Sequence, residues 1–341
     1  MPFNDIEKNR IINIINQALS RSNEFNNEHA NINDLGLQAD LWQGLINFED
    51  PNNNVITRIF NNTCINRYNS NNLYYHFKPI NSIQRLTRVL NIIDNRQIQV
   101  SNLLANEQND FAEYSKLYKR LGLFNKFIPH DYCNQNQNGV YNPASASPVD
   151  NERNNIFILC FSRDYQNLRF WNEYAADSNG VCFVFRFTNF VDLYLNCYDL
   201  RDVVYDDGYR FDFINEINYF LRQAFRRLLF LGGITKFSRF YKRFRYFWEV
   251  ETRLSFDYNS TYQPFLSNNF PLVHDANRTF IELPLTGNTV SQKPLFNLTI
   301  EEIICGNNVS QADYDIIENS LRNNFSAARI SRFNIPTSNM Y

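Results

Sequence analysis

Apolar residues recur at Ile6, Ile11, Ile12, Ile14, Ile15 and Leu19, the spacing of one helical face, so residues 5–22 read as an amphipathic helix. A second helix is expected from Asn33 to about Ile46, capped by Asn33 or Asp34. The Asn-rich stretch 48–72, broken by Pro51, then closes an N-terminal helical extension, residues 1–70. From Leu73 the pattern changes. Leu73–Phe77 is a short aromatic strand, Asn81 caps a helix carrying Ile83, Leu86, Val89, Leu90 and Ile93, and Gln97–Ser101 alternates as a strand does. Another helix is expected over 108–121. Residues 129–153, with Pro129, Pro143 and Pro148 among Asn, Ser and Gly, read as a long exposed loop of the kind that serves as a lid or binding element.

Ile156–Phe161 is apolar at every position, the mark of a central strand covered on both faces. Residues 165–177 look helical, Gly180 leads into a second buried strand at Val181–Phe185, and 210–231 has the spacing of a long helix ending at Gly232-Gly233. Phe247–Phe256, Thr279–Leu285 and Ile300–Cys305 read as strands, and Ser310 is placed to cap a last helix over 310–323. Strands and helices mix without βαβ regularity. The expected class is α+β: a mixed, mostly antiparallel central sheet with flanking helices over residues 73–332, preceded by the helical extension.

The 341 residues are 44% hydrophobic, ample for a core, and 33 basic against 35 acidic side chains leave a net charge of −2. That balance argues against a constitutive nucleic-acid coat or a polybasic membrane anchor. The apolar runs are too short to span a bilayer, and no signal-like segment follows Met1, so a soluble cytoplasmic protein is expected. Six cysteines without CxxC spacing favour free thiols in a reducing compartment, and no metal site is expected.

The sharpest candidate chemistry lies in Trp248-Glu-Val-Glu-Thr-Arg-Leu254. On a strand Glu249, Glu251 and Arg253 share one side, where two carboxylates and a guanidinium can stabilise a cationic transition state or orient a ribose hydroxyl. The same row also suits the solvated face of an amphipathic strand. His76 stands among Tyr74, Tyr75 and Phe77, able to bond a sugar beside a stacking ring, or simply to pack. Ser162 ends the central strand, while Trp171 and Tyr174 share a helix face that walls a pocket or fills the core. The segment containing Lys236, Arg239, Lys242, Arg243 and Arg245, interleaved with aromatics, suits phosphate or single-stranded nucleic acid, or an ordinary helix surface. Walker A, GxGxxG, HExxH, EF-hand and Gly-x-Ser-x-Gly patterns are absent.

Tyr75-His76-Phe77, Ile98-Gln-Val-Ser101-Asn102, Cys160-Phe-Ser162, Trp171-x-x-Tyr174, Gly180–Phe185, Trp248-Glu-x-Glu-x-Arg253 and Ile303-Ile-Cys-Gly306 occur in that order. In this order and spacing, residues 73–330 resemble the bacterial domain-of-unknown-function family 2971. One departure is that Asn109-Asp110-Phe111-x-Glu113 only approximates the loop motif that often follows the family's second strand. The layout is further similar to that of ADP-ribosyltransferases. That resemblance implies NAD as co-substrate, His76 on its ribose, Tyr74 or Tyr75 stacking on nicotinamide, Glu251 catalytic, Glu249 activating an acceptor and Ser101 completing the site. Ser162, Trp171, Tyr174 and Arg253 stand beside it as binding candidates.

The leading expectation is thus an NAD-dependent ADP-ribosyltransferase or NAD glycohydrolase, acting as a bacterial toxin or phage-defence effector on a protein or nucleic-acid acceptor. One alternative is a non-enzymatic structural, crystal-forming or partner-binding protein. Asn at about one residue in six and Arg at about three times Lys give a composition that resembles parasporal crystal proteins of spore-forming bacilli. A second alternative is an RNA-directed protein using 236–245.

Overall fold

The computed structural model describes residues 4–10, 12–13, 71–102, 155–189, 198–205, 239–242, 244–258, 263–275, 278–285 and 296–334. Of the first expected helix, residues 5–10 and 12–13 are helical. The helices expected over 33–46, 108–121 and 210–231, the loop 129–153 and the motif at 109–113 lie outside the described residues. The chain divides into two compact units. One comprises 1–66, 106–154 and 203–247, the other 67–105, 155–202 and 248–341.

The second unit is an α+β structure around a ten-stranded, mostly antiparallel sheet. Its strands are β1 (Leu73–Pro79), β2 (Gln97–Asn102), β3 (Ile156–Ser162), β4 (Gly180–Thr188) and β5 (Tyr198–Asp202). β8 (Glu251–Asp257), β9 (Leu272–His274), β10 (Thr279–Pro284), β11 (Asn297–Cys305) and β12 (Arg329–Arg332) complete it. β6 (Val204–Tyr205) and β7 (Tyr241–Lys242) form a small parallel pair in the first unit. The main path runs β12-β11-β4-β1-β3-β2-β10-β9, and only β11–β12 is parallel along it.

The sheet forks at β3. One edge of β3 pairs with β8 along its whole length, and β8 in turn pairs with β5. The opposite edge is shared. β1 joins it at Tyr75–Ser162, β2 at Ser101–Ile158 and Asn102–Phe157. The apolar run of β3 suits this central place, since both its faces are covered.

Side-chain alternation sorts the sheet into two faces. One carries Tyr74, Val100, Phe157, Phe161, Phe185 and Leu254 in a continuous apolar core. Helices α1 (Ile83–Asp94) and α4 (Gln311–Asn324) cover it with Val89, Ile92 and Ile93, and with Ile317 and Leu321. Their ends are tied where Asp94 Oδ1 accepts from Ser320 Oγ at 2.5 Å and Asn324 Nδ2 at 3.1 Å. A short helix α3 (Gln263–Asn269) adds Leu266. On the opposite face, helix α2 (Leu168–Glu173) packs Trp171 with Phe77, Cys182, Val184, Ile304 and Phe333.

Ser310 caps α4, its Oγ accepting from the Asp313 amide at 3.1 Å, as its place in the sequence leads one to expect. At α1 the cap is Ser82, not Asn81. The Ser82 hydroxyl accepts from the Arg85 amide, while Asn81 takes the Arg85 guanidinium at 2.7 Å. The helix expected over 165–177 is confined to Leu168–Glu173, because Ala176, Asp177 and Ser178 take left-handed φ values of 48°, 55° and 63°. That turn lies against Gly180 and Gly306. A Cβ on Gly306 would overlap the Ser178 carbonyl oxygen, and one on Gly180 would lie 2.6 Å from the Lys78 carbonyl.

The strand expected over Phe247–Phe256 is two elements. Phe244–Glu249 is a 3-10 helix, and β8 begins only at Glu251. Val250 between them has φ 42°, an uncommon and costly conformation for a β-branched residue. Its carbonyl is fixed by the Arg163 amide at 3.1 Å.

Candidate functional site

Across the face opposite the main core, in-register pairing sets Glu302, Val184, Tyr75, Ser162 and Glu251 side by side on β11, β4, β1, β3 and β8. At about 4.8 Å per strand this row spans about 19 Å. Glu251 lies at its β8 end, with Arg253 two residues along on the same face.

Glu251 and Arg253 do not form a solvated face: every residue of β8 is buried. Arg253 donates from Nε to Glu251 Oε1 at 2.7 Å and from Nη2 to Oε2 at 3.3 Å, a two-pronged pair. The adjoining strand carries a second such pair, Arg201 Nε to Asp199 Oδ1 at 3.2 Å, also buried. Because Arg201 pairs in register with Arg253, two guanidiniums lie opposite each other. Like charges so placed repel, and here each is offset by an acid on its own strand. The Asp199–Arg201 pair was not anticipated. Its signal in the sequence is the same acid-x-arginine spacing as Glu251-x-Arg253.

Glu249 belongs to the 3-10 helix rather than the strand, so it does not alternate with Glu251 as expected. Its buried Oε1 accepts from Tyr174 Oη at 2.8 Å, and Tyr174 is 42% exposed. Ser162 joins the two elements. Its hydroxyl lies 3.1 Å from the Glu249 carbonyl and 3.0 Å from that of Asp164, and accepts from the Asp164 amide at 3.0 Å. Trp248 packs on Phe170 with the Arg169 guanidinium 4.1 Å from its ring centre.

His76 faces the other way. Tyr75 shares the row of Glu251, so its neighbour His76 belongs to the apolar core face, as does Tyr74 between Phe161 and Phe187. At the fork where β1 and β2 part from β3, His76 Nδ1 donates to the Cys160 carbonyl at 2.8 Å. Its Nε2 is buried and has no hydrogen-bond partner among the described residues. Burial pushes the imidazole pKa down to about 3, with the Lys78 charge adding to this and the bond to Cys160 opposing it. The ring is therefore neutral. The expected grouping of His76 with Glu251 around one ribose is corrected by this alternation.

Ser101 does share the face of Glu251, but it pairs with Ile158, four residues along β3 from Ser162, or about 13 Å away. Trp171 is a core residue, its Nε1 donating to the Tyr165 carbonyl at 2.8 Å and its ring stacked on Phe333 at 4.4 Å. Of the basic segment, Lys236 and Arg243 lie outside the described residues. Arg239 and Lys242 are buried, in a turn and in β7, so they offer no surface row to a phosphate backbone; Arg245 is exposed over the Tyr246 ring. Among the described residues no helix is long and apolar enough to cross a membrane, and no three or more His, Cys, Asp or Glu side chains gather as metal ligands. No family model matches the chain, nor does any curated protein or solved structure.

Proposed function

We propose that the chain consumes NAD, as an ADP-ribosyltransferase or NAD glycohydrolase, on the sheet face that carries Glu251. One observation carries the reading: Glu251 is buried on β8 and held by Arg253, in one row with Ser162 and Tyr75 and next but one in the chain to Glu249. Buried charges are costly to maintain and collect where chemistry uses them. On this reading Tyr75 would lie against the nicotinamide ring and Glu251 toward the ribose. His76 has no part in it. In the reaction the bond from the anomeric carbon to nicotinamide breaks, and nicotinamide leaves with the electron pair. A bond to the oxygen of water, or to an acceptor's nucleophile, replaces it. The fixed carboxylate of Glu251 offsets the positive charge that develops at that carbon. Glu249, reached from the exposed Tyr174, receives the nucleophile's proton. Such activity on a protein or nucleic-acid acceptor suits a toxin or defence effector.

The test is purified chain incubated with NAD, with and without cell lysate, following free nicotinamide and labelled ADP-ribose. Wild type is expected to release nicotinamide, with Glu251→Gln slower by about 100-fold or more. Glu249→Gln, which keeps an oxygen to accept from Tyr174 Oη, should also slow transfer. Intact NAD in every arm overturns the proposal. A non-enzymatic, partner-binding role is the second reading, favoured by the fact that Glu251 and Arg253 satisfy each other internally. On that reading Glu251→Gln lowers stability and nothing else.

A further inference from the structure

At the far end of the same row lies a pocket of about 340 Å³, small for a ligand site and lined, among the described residues, by residues of the second unit. Two aromatic rings form one wall, Tyr75 and Tyr165, with centroids 5.0 Å apart and planes tilted by 39°. Phe333 contributes a third ring, backed by Trp171. Val184 and Ile304 supply an apolar floor, and the carboxylate of Glu302 stands among them. Glu302 accepts from Ser331 Oγ at 2.5 Å and from Arg329 Nη2 at 3.2 Å.

The chemistry selects against several ligand classes. The lining also carries Arg329, held by Glu302, and Arg332, whose guanidinium donates to the Val309 carbonyl at 3.0 Å and to Gln311 Oε1 at 2.9 Å. An anion would thus have to draw one of them from its partner while meeting a carboxylate and the negative faces of the rings. A flat nucleobase finds no slot between Tyr75 and Tyr165, since these rings already touch each other. A cation with an apolar skin meets both of its needs, ring faces for its charge and Val184 and Ile304 for its carbon. The one basic group now on Glu302 is a loose one. The Arg329 side chain is 77% exposed, against 19% for Glu302, and an ion pair with one arm in water is weakly held. The Tyr75 phenol is pushed up to about 12, chiefly by burial, with Cys182, Tyr165, Asp164 and Glu302 adding to it, so its hydroxyl stays protonated.

We infer that this pocket binds an organic ammonium group, seated against Tyr75 and Tyr165 and paired with Glu302, from which it displaces the arm of Arg329. This site shares Tyr75 with the NAD reading but uses neither Glu251 nor Glu249. The experiment is calorimetric titration of the full chain with choline and with its neutral isostere 3,3-dimethylbutan-1-ol. Choline is expected to bind saturably and about tenfold more tightly than the alcohol. Glu302→Gln should erase that difference, and Arg329→Ala, which removes the internal competitor, should tighten choline binding by about threefold. Glu251→Gln should leave choline binding unchanged, which separates this site from the NAD chemistry. Because Glu302→Gln disturbs the β11–β12 edge, Tyr165→Leu is the second variant: it should weaken choline and spare the alcohol. Equal affinity for the two probes, absence of saturable binding, or choline binding indifferent to both Glu302→Gln and Tyr165→Leu would each overturn the inference.

Discussion

Val250 shows how a single backbone angle can set the geometry of a site. Its φ of 42° ends the 3-10 helix and starts β8, so that Glu249 and Glu251 leave the backbone in directions that neither element alone would give. For a β-branched residue this conformation costs about 1–3 kcal/mol, and it persists because the Arg163 amide and the Ser162 hydroxyl hold the carbonyls of Val250 and Glu249. Glycine adopts the same angle without strain but loses more freedom on folding. Val250→Gly should therefore leave stability unchanged or raise it by up to about 1 kcal/mol in urea unfolding. A loss larger than that would mean that packing of the valine side chain outweighs its backbone strain.

At the scale of elements, the turn 176–178 and the loop after β11 interlock mainly through backbone, with one side chain, Asn308 Nδ2, donating to the Asp177 carbonyl at 2.6 Å. Gly306 donates to the Gly180 carbonyl at 2.9 Å, and Asn308 holds the Ser178 carbonyl through its amide at 3.1 Å. With Gly306 pressed on Ser178, Gly306→Ala should cost about 3 kcal/mol, visible as a lower midpoint in thermal unfolding. The strands around this lock were legible in the sequence. Leu73–Phe77, Ile156–Phe161 and Val181–Phe185 are runs of aromatic and β-branched residues that only a covered sheet can accommodate. The cap of α4 was legible too, because Ser310 precedes Asp313 at cap spacing. The break at Val250 was not, since valine favours strands and the acid-x-acid-x-arginine alternation runs straight through it. Nor could the alternation say which of Tyr75 and His76 shares a face with Glu251. Local periodicity sets those two neighbours on opposite sides, but the choice depends on the register of β1 on β3 and β3 on β8, between segments more than eighty residues apart.

Over the whole molecule, the buried histidine links folding to pH. An unfolded histidine takes its proton near 6.5, whereas His76 in the fold stays neutral down to about 3. Between those values the unfolded chain binds the extra proton, so the contribution is complete above about pH 6.5 and is lost as the pH falls toward 3. His76→Asn keeps a donor for the Cys160 carbonyl and removes the titration. The stability difference between wild type and this variant should shift against wild type by about 1 kcal/mol per pH unit below pH 6, read from urea midpoints. A difference that stays flat from pH 7 to 4 would show that the ring takes up its proton in the fold as readily as in the unfolded chain.

The margins of the sheet bear on a different hazard. At its two path ends β12 has four residues and β9 three. β12 is flanked by Arg329 and Arg332, and an Asp275–Arg278 pair closes the turn beside β9. Short, charged margins give an incoming chain little unpaired backbone to template on. Despite the many phenylalanines in its interior strands, the assembled sheet thus has little capacity to seed intermolecular β-aggregates from these ends.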